Sequence, residues 1–401
     1  MKLSNRAREV QESPIRKLFP LMVEAERKGV SIYRLNIGQP DIETPTQYLE
    51  AVSAFREYRK VLEYGPSDGL PELREAIADY YGRYGIKLDP SEILITTGGS
   101  EAALFAMSLV GDFGDEIIIP EPFYTNYNGF ATLAGLKVVP LTTKAEDGFH
   151  LPPVEAIEAA ITPRTRAILV CSPNNPTGTV LTHEELDTIA AVAVKHDIFL
   201  IGDEVYREFA YEGVRPRSLF ELEGLEERVI VLDSISKRFS ACGARVGAII
   251  SKNRELMAAA LKLGQARLCP PTIEQVGAVA AYRMDSSYFD PIRTEYQNRR
   301  DVLMKGLTAH SGVFLKKPEG AFYMIVKLPV RDANRFASWL LSEWRVDGET
   351  TMVAPADGFY ATPGLGYDEI RVAYVLDRDR LEKAARILVE GLDRYVETVE
   401  R

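Results

Sequence analysis

The chain is poor in cysteine and histidine, and it has no long apolar run. Its three cysteines, Cys171, Cys242 and Cys269, lie far apart, which fits neither a zinc site nor a disulfide framework. The four histidines, His150, His183, His196 and His310, show no metal-ligand spacing, so no metal is expected. No stretch approaches the ~20 consecutive apolar residues that cross a bilayer. Residues 1–10 are polar and mixed in charge, without the apolar segment of a signal peptide. A reducing, cytoplasmic setting is the resulting expectation. Basic charge is not in surplus either. Lys and Arg total 48 against 58 Asp and Glu, a net charge of −10, which argues against a nucleic-acid partner. Internal repeats and low-complexity linkers are missing as well.

What is present is the composition of a globular protein with a large core: 401 residues, 46% hydrophobic and 26% charged. At roughly 100–200 residues per domain this length suggests two or three domains. From about residue 70 to 285, short apolar runs alternate with helical periodicity. Leu70, Leu73, Ile77 and Tyr80 recur at helical spacing. Strands are expected at 92–96, 116–119, 137–140, 167–171, 199–202, 229–232 and 246–250, with helical patterns at 101–110, 153–161 and 184–196. Several strand runs are β-branched without strict alternation, as for strands covered on both faces. The alternation predicts an α/β fold whose sheet is mainly parallel and covered by helices. Toward the end, strand-like 321–327 and 369–375 and helical 331–344 and 378–396 predict a smaller α+β domain. The segment before Pro45 is too short for its own core. The expected division is a large domain of 48–287 and a small one formed by 1–47 and 288–401.

Four short motifs carry chemistry. In Asp233-Ser234-Ile235-Ser236-Lys237, a lysine at a strand end can form a Schiff base with an aldehyde cofactor. Ser234 and Arg245 supply a hydroxyl and a guanidinium suited to a phosphate. Taken alone, a Ser-Lys pair is commonplace. Thr96-Thr97-Gly98-Gly99-Ser100-Glu101 stands where a strand yields to a helix, so its glycines and free N–H groups can cradle a phosphate, or merely make a tight turn. Asp203-Glu204-Val205-Tyr206 follows a buried strand, where ligands of open α/β sheets bind. A carboxylate there can keep a pyridine nitrogen protonated, and Tyr206 can donate to a ring oxygen; Asp203 could equally cap a helix. Ser172-Pro173-Asn174-Asn175-Pro176-Thr177-Gly178 makes a rigid turn from which Asn175 could offer an amide to that oxygen.

Together with Asn36-Ile37-Gly38-Gln39-Pro40-Asp41, Tyr64-Gly65 and Glu369-Ile370-Arg371-Val372, these motifs stand in the order of one family. The sequence resembles the class I/II aminotransferases of pyridoxal-phosphate (PLP) fold type I, the group that includes aspartate aminotransferases, over nearly its whole length. The resemblance implies a PLP cofactor held by Lys237, with Asp203 on the pyridine nitrogen and Tyr206 and Asn175 on the ring oxygen. It implies Ser234, Arg245 and the backbone of Gly99, Ser100 and Glu101 on the phosphate, and Tyr124 stacked on the ring. Tyr64 matches a phosphate ligand given by the second subunit, which implies a homodimer. Arg371 and the backbone of Gly38 match the grip on the substrate α-carboxylate, with Asn175 close by. In that scheme Lys237 moves the Cα proton as general acid and base, and two half-reactions give ping-pong kinetics between an L-amino acid and a 2-oxo acid.

Substrate choice is less legible. Some bacterial aspartate aminotransferases of this type carry a lysine directly after the Gly-Gly for the distal carboxylate, and here that residue is Ser100. Arg267 is the candidate replacement, reaching the neighbouring subunit's site. Aspartate with 2-oxoglutarate is the first expectation. An aromatic or broad-specificity enzyme, another PLP reaction such as a β-lyase, and a non-catalytic PLP-binding regulator are the alternatives. A regulator would carry an added DNA-binding domain, for which the residues before 48 show no pattern.

Overall fold

The apolar runs in the first two thirds of the chain mostly become strands of one sheet. In the computed structural model, which describes residues 1–58 and 61–400, the strands follow in chain order. They begin with β1 (Ser31–Arg34), β2 (Ile93–Thr96), β3 (Glu116–Glu121) and β4 (Lys137–Thr142). Next come β5 (Thr165–Cys171), β6 (Phe199–Asp203), β7 (Val229–Ser234) and β8 (Gly247–Ile250). The last are β9 (Tyr323–Lys327), β10 (Glu349–Met352), β11 (Ala354–Pro355) and β12 (Glu369–Ala373).

The main sheet has the order β2-β8-β7-β6-β5-β3-β4. Its pairs are parallel from β7 through β4, while β8 runs antiparallel to both β7 and β2. The reversal at β8 has a local cause. The residues after β7 form a one-turn helix and a tight turn that wrap the strand end, so no crossover helix returns the chain to the other edge. Alternate residues of each strand enter two cores. Val229 and Val231 face the helices Pro71–Gly82, His183–His196 and Thr272–Tyr282, whereas Ile230 and Leu232 face Gly98–Val110 and Arg254–Arg267. Burial on both faces is why these strands read as unbroken apolar runs.

Several boundaries move for identifiable reasons. Glu92 belongs to a 3-10 turn closed by a capping box with Asp89, so β2 starts at Ile93. Asp332 accepts from Asn334 N and Arg335 N, which starts the helix Ala333–Ser342 later than the periodicity implied. Among the described residues, six helices of nine or more residues escape the pattern reading: Phe19–Arg27, Thr46–Tyr58, Asn126–Ala134, Arg254–Arg267, Thr272–Tyr282 and Phe289–Leu307.

The late strands form two small sheets, β11-β12-β9 and β1-β10. In the second, Ser31–Arg34 pairs in parallel with Glu349–Met352, joining the start of the chain to its end. Leu18, Met22, Tyr33 and Leu35 enter the same apolar cluster as β9, β12 and the helices Ala333–Ser342 and Arg378–Thr398. The last helix is capped by Asp377 and buries Leu381, Ala384, Ala385, Leu388, Leu392 and Tyr395, an amphipathic stripe at 3.6-residue period. Among the described residues no helix is long and apolar enough to cross a membrane.

Candidate active site

Because β5, β6 and β7 are parallel, their carboxyl ends lie at one edge of the sheet, where side chains from three turns converge. There they line a cavity of about 390 Å³. Ser234 closes β7 and caps the one-turn helix Ile235–Arg238, its Oγ accepting from Ser236 N at 3.1 Å. Lys237 sits on that turn and lines the cavity. Its Nζ donates to the Gly38 carbonyl at 2.9 Å and lies 3.7 Å from Cys242 Sγ, with no carboxylate as partner among the described residues. The turn is fixed from behind by a fully buried ion pair of Arg238 and Asp233, 2.7 Å apart, to which Tyr282 Oη also donates.

One wall is built from glycine. Gly98 has φ +76°, and a Cβ there would lie 2.6 Å from Arg245 Nη2. A Cβ on Gly247 would lie 2.5 Å from the carbonyl carbon of Gly98. Their absence lets the start of the helix Gly98–Val110 press against β8 and Arg245. Gly99, Ser100, Ser234, Ser236 and Arg245 all line the cavity at this point. Arg245 Nη1 donates to the Cys242 carbonyl at 3.1 Å, and the side chain has no acid partner among the described residues. Helix-start N–H groups, hydroxyls and an unpaired guanidinium form a cradle for a phosphate.

Asp203, at the end of β6, is the one carboxylate of the lining among the described residues. Burial pushes its pKa up to about 6, against hydrogen bonds from Tyr127 Oη at 2.6 Å and Val205 N. Tyr206 Oη lies 2.9 Å from Tyr323 Oη and accepts a long bond from Asn175 Nδ2 at 3.5 Å. Tyr124 lines the same space, its hydroxyl held by Asn126 Nδ2 at 2.7 Å; burial raises that phenol to about 12.

Arg371 enters from β12. It is 2% exposed, donates to Asn175 Oδ1 at 3.1 Å and to the Asn36 carbonyl, and stacks between Tyr323 and Phe359. Among the described residues no acid pairs with it and its buried Nε has no hydrogen-bond partner, and burial pushes its pKa down. A buried guanidinium with a free donor is costly until an anion arrives, so the position suits a carboxylate ligand. Gly38 adjoins it; a Cβ there would sit 1.9 Å from Tyr323 Oη, so only glycine lets this backbone come so close.

Two expected residues lie apart. Tyr64 is 81% exposed and lines no part of the cavity. Arg267 is engaged by its own chain, donating to the Ile95 carbonyl at 3.0 Å and ion-pairing with Glu101 at 3.3 Å. The Glu101 side chain is likewise occupied, accepting from Thr97 N at 2.7 Å behind the helix start. Conversely, Tyr127, Tyr323, Cys242 and Arg16 line the cavity without having been singled out. Tyr127 was within reach, since it stands three residues after Tyr124 at the start of the helix Asn126–Ala134. Tyr323 and Arg16 come from distant parts of the chain and left no local signal.

The set fits PLP. It offers an amine free of any acid, a phosphate cradle, a carboxylate for the ring nitrogen and a buried arginine lacking an anion.

Comparison with known proteins agrees. Residues 30–388 match the family model of aminotransferase class I and II. The aromatic-amino-acid aminotransferase 2 of Thermococcus litoralis is 34% identical over 96% of each chain. The aspartate/prephenate aminotransferase of Thermus thermophilus is 33% identical over 98% of this chain and 99% of its own. Among solved structures, an aspartate aminotransferase from Thermus thermophilus with maleate superposes with a TM-score of 0.87 at 32% identity, covering 98% of this chain and all of that one. An alanine aminotransferase from Pyrococcus furiosus reaches 0.90 at 31%, with the same coverage. The chain belongs to the class I and II aminotransferases and is a PLP-dependent transaminase.

Proposed function

We propose that this transaminase exchanges the amino group between an acidic L-amino acid, aspartate first, and 2-oxoglutarate. The observation that carries the amino-acid reading is Arg371, a buried guanidinium with no acid partner and an unused Nε in the cavity that holds Lys237. The acidic choice rests on relatives named aspartate aminotransferases in Bacillus subtilis and Pyrococcus abyssi and on the maleate-containing neighbour.

When bound, PLP supplies an electron sink for the charge that develops at the substrate Cα. The protein's residues supply the rest. Arg371 and the Gly38 backbone orient the α-carboxylate, so that Lys237 Nζ can take and return the Cα proton. Asp203 would hold negative charge against the ring nitrogen, Tyr206 and Asn175 would donate to the ring oxygen, and Tyr124 would pack on the ring. Ser234, Arg245 and the N–H groups of Gly99, Ser100 and Glu101 would hold the phosphate. Arg267, engaged as it is on its own chain, is not part of this reading.

We also propose a homodimer in which Tyr64 completes the partner's phosphate site, which its wide exposure supports. A fully active monomer in sedimentation would refute that. The three free cysteines support a reducing, cytoplasmic setting. Apart from Cys171, Tyr206, Phe209 and Tyr211, the buried residues of the cluster around β9 and β12 come from 1–47 and 288–401, which supports a division into 48–287 and 1–47 with 288–401.

Arg371→Ala tests the reading. It should lower kcat/KM for L-aspartate by about 10²-fold or more, the loss of charge-assisted hydrogen bonds. An unchanged value would refute it.

A further inference from the structure

Count the charges that face the cavity. Four cations line it, Arg16, Lys237, Arg245 and Arg371, against the single acid Asp203. Three of the cations have duties in the proposed function: Arg245 to the phosphate, Lys237 to the Cα proton and Arg371 to the α-carboxylate. Arg16 is left over. Its guanidinium has no ion-pair or hydrogen-bond partner among the described residues; only its backbone is engaged, N to the Ser13 carbonyl at 3.0 Å and O from Phe19 N at 2.9 Å.

The residues that carry Arg16 are held in place. Pro14 packs against Gly358, where a Cβ would lie 2.4 Å from the proline ring. Ile15 packs on the apolar cluster that contains Phe359, whose ring also faces Arg371 at 4.9 Å. The Ile15 carbonyl accepts from Asn36 Nδ2 at 3.4 Å, and the Asn36 carbonyl in turn accepts from Arg371. One short chain of contacts thus ties the segment that carries Arg16 to Arg371, and both arginines line the cavity. On the other side of Ile15, Ser13 also lines the cavity, while Lys17 turns outward to Asn334 Oδ1 at 2.9 Å.

We propose that Arg16 is a specificity-determining residue that reads the side-chain carboxylate of a dicarboxylic substrate. Resting on the transaminase reading above, this makes the substrate class a pair of dicarboxylic amino and 2-oxo acids. The guanidinium of Arg16, exposed and on the cavity lining, meets the distal carboxylate after Arg371 has fixed the α-carboxylate, and two fixed ends define the substrate's length and orientation. Monocarboxylic amino acids leave Arg16 solvated at no cost, so it adds rate to acidic substrates without barring others.

The test compares the wild-type holoenzyme with Arg16→Ala and Arg16→Lys on L-aspartate, L-glutamate, L-alanine and L-phenylalanine, each with its KM and kcat resolved. Maleate binding by calorimetry on the same proteins is read in parallel. In Arg16→Ala, kcat/KM for aspartate and glutamate should fall about 10- to 100-fold, mainly through KM. The maleate dissociation constant should rise by a similar factor, while alanine and phenylalanine change less than about twofold. Arg16→Lys should recover part of the loss. Equal losses on all four substrates, or unaltered maleate binding, overturn the role of Arg16 while leaving the acidic-substrate reading intact. A wild type that does not favour the two dicarboxylates overturns both.

Discussion

At the scale of single residues, the site is a set of groups that the fold holds in uncomfortable states. Asp203 is the clearest. In the cofactor-free protein its folded pKa, about 6, exceeds the ordinary 3.8 because burial penalises the charged form. The sign follows: the neutral acid stabilises the fold, and that contribution is lost as pH rises from about 4 through 6. Asp203→Asn removes the buried charge and keeps an acceptor for Tyr127. Without PLP, the variant should therefore be more stable than wild type at pH 8, by about 1–2 kcal/mol and with the advantage gone below pH 4. PLP affinity should move the other way, falling about tenfold or more. Thermal melts across pH, with and without cofactor, read both; a less stable cofactor-free variant at pH 8 would contradict the account. The residues legible in sequence were those whose chemistry sits in a local string, such as Lys237 after Ser-x-Ser or Asp203 before Val-Tyr. Tyr127, its partner, was missed because a lone tyrosine on a helix reads as core.

At the scale of elements, the phosphate wall depends on two backbones touching. A Cβ on Gly247 would meet Gly98 C at 2.5 Å, Gly99 N at 2.7 Å and Asp233 O at 2.8 Å, all of them backbone atoms that cannot turn aside. Gly247→Ala should cost about 3 kcal/mol by overpacking and weaken PLP binding with it. Gly129, in the helix Asn126–Ala134, is the control: nothing lies within 4 Å of its Cβ position, and alanine there should stabilise by about 0.5–1 kcal/mol. Denaturant titration of the two variants measures both, and a neutral Gly247→Ala would contradict the packing described. Elements with a clean period were legible, since continuous β-branched runs gave the central strands and the alternation gave a mainly parallel sheet. The antiparallel β8 was not, because burial on both faces erases the difference between parallel and antiparallel pairing. The pairing of Ser31–Arg34 with Glu349–Met352 was invisible for a different reason: two four-residue strands at opposite ends of a chain carry no register signal.

At the scale of the whole molecule, the cavity is where distant parts of the chain meet. Residues 13, 15, 16 and 37–39 come from its start, the ends of β5, β6 and β7 from its middle, and Tyr323 and Arg371 from its end. The order of motifs along the sequence made the family legible, and the match over residues 30–388 agrees. What the order could not give was which side chains share the mouth of the site, since that depends on how the first residues pack beside Phe359 and Gly358. This is why substrate choice stayed open in the sequence, and why Arg16 emerged only from the folded chain.

The central claim is that Lys237 Nζ, free of any acid and aimed into this cavity, moves the proton on which amino transfer depends. The most direct measurement is the single-turnover rate of L-aspartate with PLP-loaded Lys237→Ala beside wild type. The account predicts a loss of at least about 10³-fold, the upper part of the range for general acid–base groups, with substrate binding largely kept. A Lys237→Ala protein that turns over aspartate at the wild-type rate would contradict it.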